Sequence, residues 1–122
     1  MCKLVKIGDN VEVASIKEHT IRKIIDKANI CNKIDTIILF GSSLEERCTE
    51  QSDIDMAFII NTSMSRLVSD GGYKKFKKYL YSIDENQEYD ILYFRSLENI
   101  RSSKDFVCKD IMSKGKTVYE RW

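Results

Sequence analysis

The sequence predicts an α/β (α+β) domain. Three observations carry that expectation: apolar runs of strand length at 34–40, 53–60 and 88–94, stretches with helical spacing around them, and a length of 122 residues. A chain of that size buries roughly two-thirds of its unfolded surface around one core and leaves no room for a second folded unit. A single domain over 1–122 is therefore expected.

Taken in order, residues 3–13 open with a mixed stretch in which Val11 and Val13 alternate about Glu12, as in a short strand or an ordered arm. Ser15-Ile16-Lys17-Glu18 then matches a capping box, where a serine and a glutamate three residues later satisfy the first free amides of a helix. Ile16, Ile21, Ile24, Ile25 and Ala28 follow at largely helical spacing, so a helix is expected over 15–30. His19 sits beside that apolar face and is expected at the surface or in packing, because no second histidine or nearby nucleophile pairs with it. Ile34 and the run from Thr36 to Phe40, closed by Gly41, read as a buried strand. A short helix giving way to a loop is expected over 43–52, since Leu44-Glu45-Glu46-Arg47 favours helix and Thr49 to Ser52 is polar. The strand 53–60 places Ile54, Met56, Phe58 and Ile60 on one face.

Residues 61–72 are polar and end in Gly71-Gly72, the pattern of a long connection and a mobile flap. Tyr73 to Tyr81 is amphipathic, with Tyr73, Phe76 and Leu80 on one side and Lys74, Lys75, Lys77 and Lys78 largely on the other. Those lysines read as a solvated face; a sharper alternative sets one or two of them against a triphosphate or an acidic partner. After a turn at 82–87, the strand 88–94 alternates Tyr89, Ile91 and Tyr93 with Asp90, Leu92 and Phe94. Asp90 interrupts an apolar face, and burying an unpaired carboxylate is costly, so a strand end or other charges should surround it. A helical turn begins at Ser96. Ser102 or Ser103 can cap a helix to Lys114 that carries Phe106, Val107 and Ile111, with Gly115 as its stop. Residues 116–120 make a short edge strand or extended tail.

With Lys+Arg at 20 against Asp+Glu at 19, the net charge of +1 exerts no global attraction, and neither nucleic acid nor membrane is expected as a partner. Cys2, Cys31, Cys48 and Cys108 lack metal-site spacing and read as free thiols of a reducing compartment rather than zinc ligands. Met1 to Lys6 is too short and charged for a signal peptide, and no apolar run reaches the ~20 residues of a membrane span. A cytoplasmic protein is expected.

The chemistry concentrates in residues 39–55. Gly41 lets the backbone approach a ligand, and the amides that follow at Ser42 and Ser43, with a serine hydroxyl, can hold a phosphate oxygen. Residues i and i+2 of a strand share a face, so Asp53 and Asp55 project together while Ile54 turns into the core. Such carboxylates suit magnesium, which takes a few of them together with phosphates and waters. If the strand of Asp90 lies beside theirs, a third carboxylate makes a site for two metal ions about 3.5–4 Å apart, one activating an attacking hydroxyl and one stabilising leaving pyrophosphate.

Gly41-Ser42, the ten residues Ser43 to Ser52, Asp53-Ile54-Asp55 and the later Asp90 together resemble the signature of the DNA polymerase β-like nucleotidyltransferase superfamily, in particular its minimal, antitoxin-like members. The resemblance covers residues 15 to 120. It implies the nucleotidyltransferase fold, a mixed sheet flanked by helices, and magnesium-dependent transfer of a nucleoside monophosphate, AMP from ATP, to a hydroxyl with release of pyrophosphate. In that scheme Gly41 and Ser42 hold the β- and γ-phosphates, with Ser43 and Arg47 beside them as nucleotide contacts. Asp53 and Asp55 bind both metals, and Asp90 binds the metal that activates the acceptor. The implied acceptor is a tyrosine of a helical HEPN-type toxin. Because the chain has no second domain to hold an acceptor, a partner protein, a homodimer interface or the 61–72 flap must do so. Where many relatives carry arginines and a glycine directly after Gly-Ser, this chain has Ser43-Leu44-Glu45-Glu46, with Arg47 as the nearby cation. That departure supports a second expectation, a module of the same fold that binds a nucleotide or a partner without turnover.

Overall fold

Two short strands pair at the start of the chain: β1 (Leu4–Lys6) and β2 (Glu12–Ala14) form an antiparallel hairpin with Val5 opposite Val13. The structure is a computed structural model that describes residues 1–121; Trp122, the last residue of the expected domain, lies outside the described residues. A 3-10 turn (Ser15–Lys17), α1 (Glu18–Lys27) and a second 3-10 turn (Ala28–Ile30) then cover the stretch read as one helix. The capping box does not form. Ser15 is drawn into the hairpin instead: its amide donates to the Lys3 carbonyl at 2.7 Å and its hydroxyl lies 3.3 Å from Cys2 Sγ. Ile16 consequently faces solvent and Lys17 is buried, 3 % exposed, the reverse of the helical pattern.

Strands β3 (Ile34–Phe40), β4 (Ile54–Ile60), β5 (Tyr89–Phe94) and β6 (Lys116–Glu120) form one mixed sheet in the order β5-β4-β3-β6. β3 runs antiparallel to β4 and β6, while β4 and β5 are parallel. Parallel neighbours need a crossover rather than a tight turn. Here α2 (Met64–Ser69) and α3 (Gly71–Ile83) supply it, so residues 61–72 are not a flap. Ser63 Oγ accepts the Arg66 amide at 3.3 Å and Asp70 Oδ2 accepts the Tyr73 amide at 3.0 Å, each capping a helix start. Gly71 and Gly72 form the first turn of α3, not a break. A side chain at Gly72 would bring its Cβ within 2.6 Å of the Ile30 carbonyl oxygen, so that glycine marks close packing.

The last two helices are α4 (Leu97–Arg101), capped by Ser96 through the Asn99 amide, and α5 (Phe106–Lys114). α5 starts later than a cap at Ser102 or Ser103 implies, because Ser103 Oγ accepts the Asp105 amide in the loop before it. Of the three residues expected on its apolar side, Phe106, Val107 and Ile111, only Ile111 is buried; Phe106 is 89 % exposed, and Cys108 is buried beside Ile111.

The helices divide between the two faces of the sheet. Ile21 and Ile24 of α1, Leu67 of α2, and Phe76 and Leu80 of α3 pack on Ile37, Leu39, Ile54, Met56, Phe58 and Ile60. On the opposite face Ile100 of α4 and Cys108 and Ile111 of α5 pack on Ile38, Phe40 and Ala57. All four cysteines are free thiols. No helix among the described residues is long and apolar enough to cross a membrane.

Candidate active site

β3 delivers the chain to Gly41, whose φ of +73° lies in the region that side chains rarely adopt. A 3-10 turn, Gly41–Leu44, follows with no side-chain cap at its start, so its first amides have no internal acceptor. The turn ends at Leu44 instead of continuing as helix through Arg47, because Glu45 is extended (φ −128°, ψ 152°) and gives its amide back to the Ser42 carbonyl at 2.9 Å. Ser42 remains half-buried. Ser43, read beforehand as a nucleotide contact, is fully buried beneath the turn, and its hydroxyl has no hydrogen-bond partner among the described residues.

The second component comes from β4 and β5. Their parallel register sets Asp55 directly against Asp90, on strands whose spacing is about 4.8 Å, and on its other side Asp55 faces Phe40 of β3. Gly41 touches this row as well: a Cβ there would collide with Asp55 Oδ2. Asp53, exposed, precedes β4 by one residue, and Asp90 is exposed on the edge strand. Asp55 is half-buried, and burial raises its pKa from 3.8 to about 6, with Asp90 and then Asp53 adding repulsion and Arg47 opposing it. β5 thus lies beside β4, with Asp90 opposite Asp55 and Asp53 just ahead of the paired residues.

These carboxylates fit magnesium by donor chemistry: hard oxygens whose mutual repulsion a divalent cation relieves. Among the described residues no group of three or more His, Cys, Asp or Glu side chains is gathered so that it could hold a metal ion by itself. Magnesium does not need one, since waters and substrate phosphates fill most of its octahedron. Arg47, the other expected nucleotide contact, lies exposed and is paired with Glu45 at 2.9 Å. Beside Gly41 a cleft of about 710 Å³ opens between the β1–β2 hairpin, the 3-10 turn and the end of α5. The lysines of α3 are elsewhere, on the helix layer opposite the face of Asp55, with Lys77 over the rings of Tyr73 and Tyr81; the triphosphate reading of them is set aside.

A buried polar network fastens the carboxylate row. Lys17 Nζ donates to Gln87 Oε1 at 2.6 Å and to the Glu50 carbonyl at 3.1 Å, and Gln87 Nε2 donates to the carbonyls of Ser52 and Glu88. The Ile54 amide in turn donates to the Glu88 carbonyl at 3.1 Å. The segments that lead into Asp53 and Asp90 are thus tied to each other through one glutamine and one lysine. Neither residue stood out in the sequence, where Lys17 belonged to an apparent cap and Gln87 to a turn.

Residues 20–122 match the family model described as polymerase beta, nucleotidyltransferase. The chain belongs to this family. A search of curated proteins returns no match for the sequence. Solved structures similar to this nucleotidyltransferase domain include a toxin–antitoxin with AMP-PNP (TM-score 0.53, 21 % identity, 84 % of this chain and 73 % of that one). A mutant of the toxin–antitoxin MntA–HpeT gives TM-score 0.52 and 19 % identity over 84 % of this chain and 73 % of that one. The tri-AMPylated Shewanella oneidensis HEPN toxin in complex with MNT antitoxin gives 0.50 and 20 % over 86 % and 73 %. At these identities the likeness is one of fold.

Proposed function

We propose that this nucleotidyltransferase moves AMP from ATP onto a hydroxyl of a partner protein, acting as an antitoxin on a tyrosine of a helical HEPN-type toxin. One observation carries the reading: Asp55 and Asp90 stand in register on parallel strands with the Gly41 backbone against Asp55. The similar structures, a tri-AMPylated HEPN toxin with its MNT antitoxin and a toxin–antitoxin with AMP-PNP, support the choice of acceptor and nucleotide.

Asp53 and Asp55 are the residues that would hold magnesium, with Asp90 beside them. Two magnesium ions, when bound, supply Lewis-acid charge at the attacking hydroxyl and at the leaving pyrophosphate. Gly41 and Ser42 offer backbone amides and a hydroxyl to the β- and γ-phosphates. The acceptor oxygen bonds to the α-phosphorus as the bond from that phosphorus to the β-phosphate bridge breaks, and pyrophosphate departs. Asp90, exposed on the edge strand, is reachable by a hydroxyl carried on another molecule and can accept its proton.

A second reading, binding without turnover, draws on the engagement of Arg47 by Glu45. Incubating the chain with Mg²⁺, labelled ATP and a helical HEPN-type toxin protein decides between them. Transfer predicts AMP on that protein and free pyrophosphate, both abolished by Asp53→Ala. Uptake of ATP with no pyrophosphate in the presence of any partner selects the binding module and overturns transfer.

A further inference from the structure

The cleft beside Gly41 contains two cations that the transfer scheme leaves unused. Lys114, the last residue of α5, and Lys116, the first of β6, both line it together with Gly41 and Arg47. Both are exposed, and neither has an ion-pair partner among the described residues. Topology puts them there. β6 pairs with β3 so that Lys116 stands opposite Leu39, two residues before Gly41. Gly115, where a Cβ would strike the Ile111 carbonyl and come within 2.9 Å of Ile38 Cγ2, lets α5 pass directly into β6. This end of the sheet therefore runs from negative to positive: Asp90 on β5, Asp55 on β4, the Gly41 turn after β3, and the lysines at β6.

A nucleoside triphosphate reacting at the carboxylates must place the charge of its β- and γ-phosphates somewhere. The turn after Gly41 offers amides but is followed by two glutamates, and the one arginine there is held by Glu45. Glu12, Glu45 and Asp110 also line the cleft, so its charges balance against Arg47, Lys114 and Lys116 and its attraction for an anion depends on the lysines. We propose that Lys114 and Lys116 form the polyphosphate subsite of this domain, binding the β- and γ-phosphates in the 710 Å³ cleft in place of cations absent from Ser43 to Glu46. The inference deepens the nucleotidyl-transfer reading and rests on it. It assigns phosphate binding to the α5–β6 junction, far along the chain from Gly41-Ser42.

The test is calorimetry on the full chain with Mg²⁺ and α,β-methylene ATP, which cannot release pyrophosphate, and separately with AMP. Lys114→Ala/Lys116→Ala is expected to weaken the triphosphate analogue at least about tenfold, as for the loss of charge-assisted phosphate contacts, and to leave AMP unchanged. Lys114→Arg/Lys116→Arg should keep wild-type affinity, and Glu45→Gln, by releasing Arg47, should tighten it. Unchanged affinity in the alanine variant, equal losses for AMP and the analogue, or loss in the arginine variant would overturn the subsite. Should the alanine variant not fold, Lys114→Gln/Lys116→Gln takes its place, and unchanged affinity for the analogue there overturns the subsite. Lysine-dependent binding without transfer to any acceptor leaves the subsite standing and removes the transferase reading. Transfer with an ATP KM indifferent to both lysines does the opposite.

Discussion

The two faces of the sheet hold the fold unequally. On the α1–α3 side sixteen buried residues form one continuous apolar cluster that includes Phe58, Phe76 and Tyr73; on the α4–α5 side the buried cluster has six members, and it ends in Asp55 and the open cleft. The thin side carries Asp55 and Asp90, and the repulsion around Asp55 is a cost that the thick side must offset. Stability and chemistry are thus separated by the thickness of one sheet, and the two sides should answer substitution differently.

The largest effect is expected on the thick side. Phe58 is fully buried, with ring centroids 6.1 Å from Phe76 and 5.7 Å from Tyr93, so Phe58→Ala should cost about 3–5 kcal/mol in urea unfolding. Ile111→Ala on the thin side should cost about 2 kcal/mol, the lower end of the range for such a truncation. Equal losses at the two positions would break the comparison. Next comes the network under the carboxylate row. Lys17→Met removes the donor to Gln87 Oε1 and the Glu50 carbonyl and should cost about 1–3 kcal/mol, the penalty for orphaned buried acceptors. It should also raise the magnesium concentration needed for transfer, because the starts of β4 and β5 lose their tie; an unchanged magnesium requirement would confine Lys17 to stability.

The smallest effect is expected in pH dependence, since Asp55 keeps part of its hydration. Its folded pKa of about 6 lies above the ordinary 3.8, so the folded chain holds the extra proton between those values. The stabilisation from that proton is complete below about pH 4 and is lost as pH rises through about 6. Asp55→Asn should flatten this dependence and raise the Tm of the metal-free protein at about pH 8, while abolishing transfer. Added Mg²⁺ should raise the Tm of the wild type more than that of the variant. A wild-type Tm that climbs between about pH 4 and 7 would contradict the sign.

The readings that held are those in which one physical signal dominated. The apolar run at 34–40 coincides with β3, and the alternation in 53–60 and 88–94 sorts the side chains of β4 and β5 onto the two faces of the sheet as the structure has them. What no local pattern encodes is which strands are neighbours. The meeting of Asp55 and Asp90 depends on a parallel pairing that α2 and α3 create, and those helices begin inside a stretch whose serines and glycines imitate a loop. Leu67 is the one buried residue of α2, too little to give a helical period. Ser15 fits a cap equally well in the sequence, but the hairpin takes it first. Lys17, Lys114 and Lys116 carry no signal at all, because a lysine is read as solvent-facing until tertiary structure buries it or aims it into a cleft.

The absence of a side chain at Gly41 has one more consequence. Since Asp55 Oδ2 occupies the place where a Cβ would stand, the backbone that can receive an anion and the carboxylate that can receive a cation share a wall. Discharging Asp55, by proton or by metal, alters the field at the turn, and an anion on the turn alters the cost of charging Asp55. Thermodynamic linkage makes the two effects equal, so cation and nucleotide should each tighten the other's hold by the same factor through a single missing methyl group.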